Sequence, residues 1–90
     1  MANNKERYGK IFVEALGLTP EVVNEGLVYN SVPSWDSVGH MTLMAALETE
    51  FDIMLETDDI IAFSSYGKGM EILARYGVEI NQGAIAEATA

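Results

Sequence analysis

The ninety residues contain no cysteine. That excludes disulfides, thiolate metal sites and a nucleophilic thiol belonging to the chain itself. Basic residues are scarce too, with five Lys and Arg against fourteen Asp and Glu, for a formal charge of −9. No cation lies between Ile11 and Gly67, a stretch that holds Glu14, Glu21, Glu25, Asp36, Glu48, Glu50, Asp52, Glu56, Asp58 and Asp59. So acidic a chain has little to offer the phosphates of nucleic acid. No apolar run approaches the roughly 20 residues that span a bilayer. The opening MANNKERYGK lacks the apolar core of a signal peptide, so a cytoplasmic location is expected.

What is present suits one small domain. Apolar residues make up 49% of the chain, enough for a single core with a stability on the order of 5–15 kcal/mol. Tyr8, Ile11, Phe12, Ala15 and Leu16 recur at i, i+3, i+4, i+7 and i+8, which predicts an amphipathic helix over 4–16 with Gly17 as its C-cap. Thr19-Pro20-Glu21 reads as a helix start, and one or two turns ending near Gly26 are expected. Leu27, Val28, Tyr29, Val32 and Trp35 are too apolar for a free linker and are expected to pin a long loop across the helices.

The central helix is predicted over 37–51, with His40, Leu43, Met44, Leu47 and Phe51 on one face and Glu48 and Glu50 toward solvent. Thr57-Asp58-Asp59 reads as a capping hydroxyl followed by two acids. It predicts a short helix over 58–63 to which Ile60, Ile61 and Phe63 contribute apolar surface. Ser64 and Ser65 offer the next cap, and a last helix is predicted over 66–76, ending at Gly77. Gly67 and Gly69 each cost that helix roughly 1 kcal/mol relative to Ala, so its first turns are expected to be mobile. The tail from Glu79 to Ala90 shows little patterning and is expected to fray. Neither a strand pattern nor an internal repeat appears. The fold class expected is all-α, a small four-helix bundle with a long first loop and a short third helix; the domain is expected to cover 1–78.

The chemically loaded junction is Trp35-Asp36-Ser37-Val38-Gly39-His40. Asp36 suits the N-cap, which puts Ser37 at the first helical position with its hydroxyl released from capping. A serine there faces unpaired amides and the positive end of the helix dipole, a good seat for a phosphate ester. Gly39 is expected to keep the surface one turn on uncrowded. An Asp-Ser pair encountered at random usually does no more than cap a helix.

The run WDSVGHMTLMAALETEFDI resembles the attachment segment of acyl carrier proteins, in which Asp-Ser-Leu opens the second helix. Asp36-Ser37-Val38 stands for that triplet, Leu47-Glu48 followed by Glu50-Phe51 matches the later helix pattern, and Thr57-Asp58-Asp59-Ile60 matches the next helix start. The likeness spans roughly 8–77. It implies that Ser37 receives 4′-phosphopantetheine from a transferase using coenzyme A and magnesium, with Asp36 in a supporting role. The chain would then carry an acyl or aminoacyl group as a thioester whose sulfur comes from that cofactor. It would be a monomer that serves acyl-activating and acyl-transfer enzymes of a fatty-acid, polyketide or other specialised pathway, and not itself an enzyme. Val38, Thr42, Ala45 and Glu48 would form the partner-docking strip. Thr42 and Thr49 stand where many relatives carry Glu, so docking would lean on Glu48, Glu50 and apolar contact. The wording around Ser37 is closer to stand-alone carriers of specialised pathways than to the housekeeping fatty-acid carrier. It lacks the Gly-Gly lead usual in peptidyl carriers.

Other readings weigh less. An acidic helical interaction adaptor with an unmodified Ser37 is the first rival, its charge steering it toward basic partners. His40 is the only histidine and could act as a base for Ser37, yet no third triad member is visible; packing is the expected role. Asp52, Glu56, Asp58 and Asp59 lack the spacing of a calcium loop. Met41, Met44 and Met54 are expected mainly to fill the core, although in this family such side chains can also line a groove for an acyl chain.

Overall fold

The structure is a computed structural model that describes residues 3–80. Four helices form among those residues: α1 (Asn4–Leu16), α2 (Ser37–Phe51), α3 (Thr57–Ala62) and α4 (Tyr66–Ala74). A single 3₁₀ turn, Pro20–Val22, interrupts the long α1–α2 connection. The fold is all-α, with one isolated antiparallel bridge, Val28 to Ser65, in place of any strand.

α1 begins at Asn3, whose side chain accepts from the Glu6 amide at 2.8 Å, and stops at Gly17 in the left-handed region. Its apolar stripe supplies Tyr8, Ile11, Phe12 and Leu16 to the core. α2 answers with Leu43, Met44 and Leu47, and Trp35, Phe63, Ile72 and Leu73 close the interior at 1% exposure or less. Aromatic edges meet at its centre: Phe12 packs edge-on against Tyr8 at 5.0 Å and against Trp35 at 5.5 Å. Each such fully buried large side chain contributes about 1.5–3 kcal/mol of transfer free energy. Arg7 bolts α1 to the end of α2, donating to the Glu50 carboxylate at 2.7 Å and to the Glu50 carbonyl at 2.8 Å. Its guanidinium also lies 4.7 Å from the Phe51 ring centre.

The first loop departs from expectation in length and in detail. Helical structure there ends at Val22, well short of Gly26. Leu27 and Trp35 are buried as expected, whereas Val28 and Tyr29 are 43% and 38% exposed. Backbone bonds hold that part of the loop instead: the Tyr29 amide donates to Ser64 O at 2.8 Å and the Tyr66 amide to Leu27 O at 2.9 Å.

Three further expectations need correction. α3 starts one residue early, at Thr57 after Glu56, and no side chain caps it; its Ile61 is 74% exposed and adds nothing to the core. α4 does use Ser65 as cap, with the Lys68 amide donating to Ser65 Oγ at 2.9 Å. Gly69 in its first turns is a packing residue: a Cβ there would collide with the Phe63 ring and the Tyr8 hydroxyl. The chain also stays packed beyond residue 78. Ile80 is 2% exposed, and Glu79 O accepts from Asn4 Nδ2 at 3.0 Å, because two positions past Gly77 the backbone runs back over the core. Residues 81–90, the remainder of the expected fraying tail, lie outside the described residues.

Candidate functional site at the start of α2

Trp35 is fully buried and anchors the residue before the junction, so the start of α2 is set by the core. Asp36 adopts extended backbone, and its Oδ1 accepts from the Gly39 amide at 2.9 Å. Its carbonyl accepts from the His40 amide at 2.8 Å, opening the helix. Ser37 is therefore the first helical residue. It is exposed, and its hydroxyl makes no hydrogen bond with any described residue. The amides of Ser37 and Val38 have no carbonyl partner at this position in a helix. The dipole adds a favourable field for negative charge.

Gly39 does not face open surface as expected. A Cβ there would run into the Ser34 carbonyl oxygen and touch Leu16. The glycine lets the loop close against the first turn of α2, which fixes where Asp36 and Ser37 stand.

His40 is committed to structure at both nitrogens. Trp35 Nε1 donates to His40 Nδ1 at 2.9 Å. Nδ1 being an acceptor, the proton sits on Nε2, which donates to Ile60 O at 2.8 Å. The imidazole also stacks on the Trp35 indole, with ring centres 6.1 Å apart and planes 17° apart. To take a proton from Ser37 it would have to abandon one of these bonds. The ring instead links the loop, α2 and α3.

Beside Ser37 runs a groove of about 310 Å³, lined by Ser37, Met41, Ile60, Ile61 and Phe63, with His40 and Tyr29 at its wall. Met41 is 55% exposed here and Met54 is 81% exposed on the α2–α3 loop; of the three methionines expected in the core only Met44 is there. No protein-family model matches this chain, and no curated protein does.

Val38, Thr42 and Ala45 stand open along α2, Val38 at 74% exposure. Glu48 differs from the expectation of a free solvent acid. It is half-buried, and its Oε2 accepts from the Leu55 amide at 2.9 Å, holding the turn after the helix. Glu50 is engaged with Arg7. The acids nearest the open strip are thus spent on tertiary contacts, while Met41 and Ile61 add apolar surface beside it. Sequence pattern missed Ile61 as a site residue because it counts that side chain with Ile60 and Phe63 as apolar packing surface, whereas Met41, expected mainly in the core, is among the side chains that the resemblance allows to line a groove. The tertiary structure leaves both side chains exposed and lining the groove beside Ser37. Among the described residues no helix is long and apolar enough to cross a membrane.

Proposed function

We propose that the chain is an acyl carrier protein whose Ser37 takes 4′-phosphopantetheine and which presents an acyl or aminoacyl cargo to the enzymes of a fatty-acid, polyketide or other specialised biosynthetic pathway. The observation that carries this reading is the division of roles at the start of α2: Asp36 makes the cap, and Ser37 is left exposed with a free hydroxyl. A phosphodiester on Ser37 Oγ would lie close to the open amides of Ser37 and Val38, where a helix start favours an anion.

The residues present fit the group. The adjoining groove holds about 310 Å³, includes Ser37 in its lining and is walled mainly by apolar side chains, room for part of an alkyl chain. When attached, the group supplies the thiol that a cysteine-free chain lacks. The chain's own part is to fix Ser37 at a rigid point, to keep His40 occupied elsewhere, and to offer a docking face. Asp36 supports presentation by setting the helix start. In this reading the chain is a monomeric substrate and partner of enzymes, and a transferase using coenzyme A and magnesium installs the arm.

Docking in this reading is mainly apolar. Val38, Thr42 and Ala45 with Met41 and Ile61 make the face, and Glu48 contributes through its hold on Leu55 rather than as a free charge. Partner association should then depend on salt less steeply than a charge of −9 suggests. Co-expression with a broad-specificity phosphopantetheinyl transferase, followed by intact-mass measurement, tests the proposal. The wild-type chain should gain one phosphopantetheinyl mass and Ser37→Ala none. A wild-type chain left unmodified by every competent transferase would instead point to an acidic helical adaptor.

A further inference from the structure

A second groove shares no lining residue with the one at Ser37. It runs between α1 and the Pro20–Val22 turn, holds about 460 Å³, and is lined by Gly9, Val13, Pro20, Val23 and Tyr66 with Lys5, Glu6 and Lys10 around it. That volume is within the range of small-molecule sites, roughly 300–1,000 Å³. Gly9 keeps it open: a Cβ at that position would meet only the Val23 side chain, at 3.9 Å.

Two features distinguish this trough from an ordinary surface crease. The first is charge. In a chain of net −9, α1 carries three of the five cations, and two of them border this groove. Lys5 makes no ion pair with a described residue, and Lys10 has only a loose one with Glu14 at 3.8 Å, both side chains largely in solvent. The second is Tyr66. The residue is 4% exposed, yet its hydroxyl makes no hydrogen bond with any described residue. The other two covered tyrosines are satisfied: Tyr8 donates to Tyr66 O at 2.6 Å and Tyr76 to Asp59 at 2.5 Å. Tyr66 lines the groove, and a hydroxyl there without a protein partner is free to donate to a bound acceptor. Burial, and then the nearby Glu25 carboxylate, raise the Tyr66 pKa, so the group stays a donor.

We propose that this groove binds a small amphipathic acid, its apolar body against Gly9, Val13, Pro20 and Val23, an oxygen accepting from Tyr66, and its single negative charge held by Lys5 and Lys10. A polyanion is disfavoured by the surrounding acids, Glu6 and Glu25 among them. A purely apolar ligand would leave both lysines and the hydroxyl unused. The inference stands apart from the carrier reading, since neither Ser37 nor its groove takes part.

The full chain, labelled with nitrogen-15, would be titrated with decanoate and separately with decanol. Saturable shifts are expected at Gly9, Val13, Val23 and Tyr66, with decanoate binding about tenfold more tightly than decanol, in keeping with a charge-assisted contact. Lys5→Gln with Lys10→Gln should abolish that preference, and Tyr66→Phe should weaken decanoate about fivefold, as for one lost hydrogen bond. Gly9→Leu should fill the trough and remove binding while α1 gains helix propensity, so its loss of binding would not reflect unfolding. Shifts centred on Met41 and Ile61, equal affinity for decanol, or undiminished binding in Gly9→Leu would each overturn the proposal. So would occupation of the groove by a protein partner that decanoate does not displace.

Discussion

α2 and α3 border the same groove at Ser37 but are held in place by different physics. α2 is fifteen residues long and buries Leu43, Met44 and Leu47 almost completely. α3 is six residues long and buries none of its own side chains. What holds α3 is polar: the His40 ring donates to Ile60 O, Tyr76 and Arg75 both bond the Asp59 carboxylate, and the Glu56 amide donates to Tyr76 Oη at 3.0 Å. Apolar support is small by comparison: Ile60 packs half-buried against the core, and Phe63, the residue that ends the helix, is buried in it. A helix fixed by burial is costly to displace, whereas one fixed by a few hydrogen bonds opens locally at low free energy. The pairing gives the groove one rigid wall and one wall that can yield.

The sharpest way to break that contrast is Leu47→Ala, which should lower unfolding free energy by about 2–5 kcal/mol in urea melts; Ile61→Ala on α3 should change it by no more than about 0.5 kcal/mol. If the two cost the same, the division between burial and tethering is wrong. Next in size comes His40→Leu, which strands the buried Trp35 N–H and releases Ile60 O. A loss of about 1–3 kcal/mol is expected, together with faster amide exchange through 57–62. Gly69→Ala should also destabilise, by about 1–3 kcal/mol, because the new methyl collides with Phe63 and Tyr8. Helix propensity alone predicts the opposite sign, so a single melting curve decides.

The smallest global effect belongs to Asp59→Asn. It should raise amide exchange across α3 several-fold at fixed pH while the urea midpoint barely moves. The wild-type latch should respond to pH at both extremes. Tyr76, and then Arg75, hold the Asp59 carboxyl below its usual pKa, so its contribution is complete above the unfolded value of about 4 and is lost as pH falls through the lower folded one. Tyr76 is raised, chiefly by its bond to Asp59. Its contribution is complete below about 10 and is lost as pH climbs through the higher folded value. Loosening confined to α3 at both ends is the expected outcome in amide spectra, with the alkaline response absent in Tyr76→Phe and the acid response reduced to the part that Arg75 supplies.

Much of the fold was legible because it is local. The α1 stripe, the Gly17 stop, the Asp36 cap and the span of α2 each depend on residues within one or two turns of each other. Thr57 failed as a cap for an equally local reason: Glu56 already has the extended backbone of the cap position, which moves Thr57 into the helix. Glu48, Gly39, Gly69 and His40 were misread or only half read. Each has a partner that its own helix does not contain: the Leu55 amide, the Ser34 carbonyl, the Phe63 and Tyr8 side chains, and the Trp35 and Ile60 pair. Propensity and periodicity do not register such partners. Gly69 looked like a weak point and Gly39 like a means of keeping the surface clear; both prove to be sites of close approach.

The amino-acid order alone thus determined a cysteine-free, strongly acidic, all-helical domain with a capped serine opening its central helix, since charge, periodicity and capping are properties of neighbouring residues. The tertiary structure alone decided which acids remain free, which methionines face outward, and that α3 hangs on hydrogen bonds. It also decided that a buried phenol borders a second groove. Those outcomes depend on which distant backbone and side-chain groups meet when the chain folds back on itself, and no local pattern encodes that meeting.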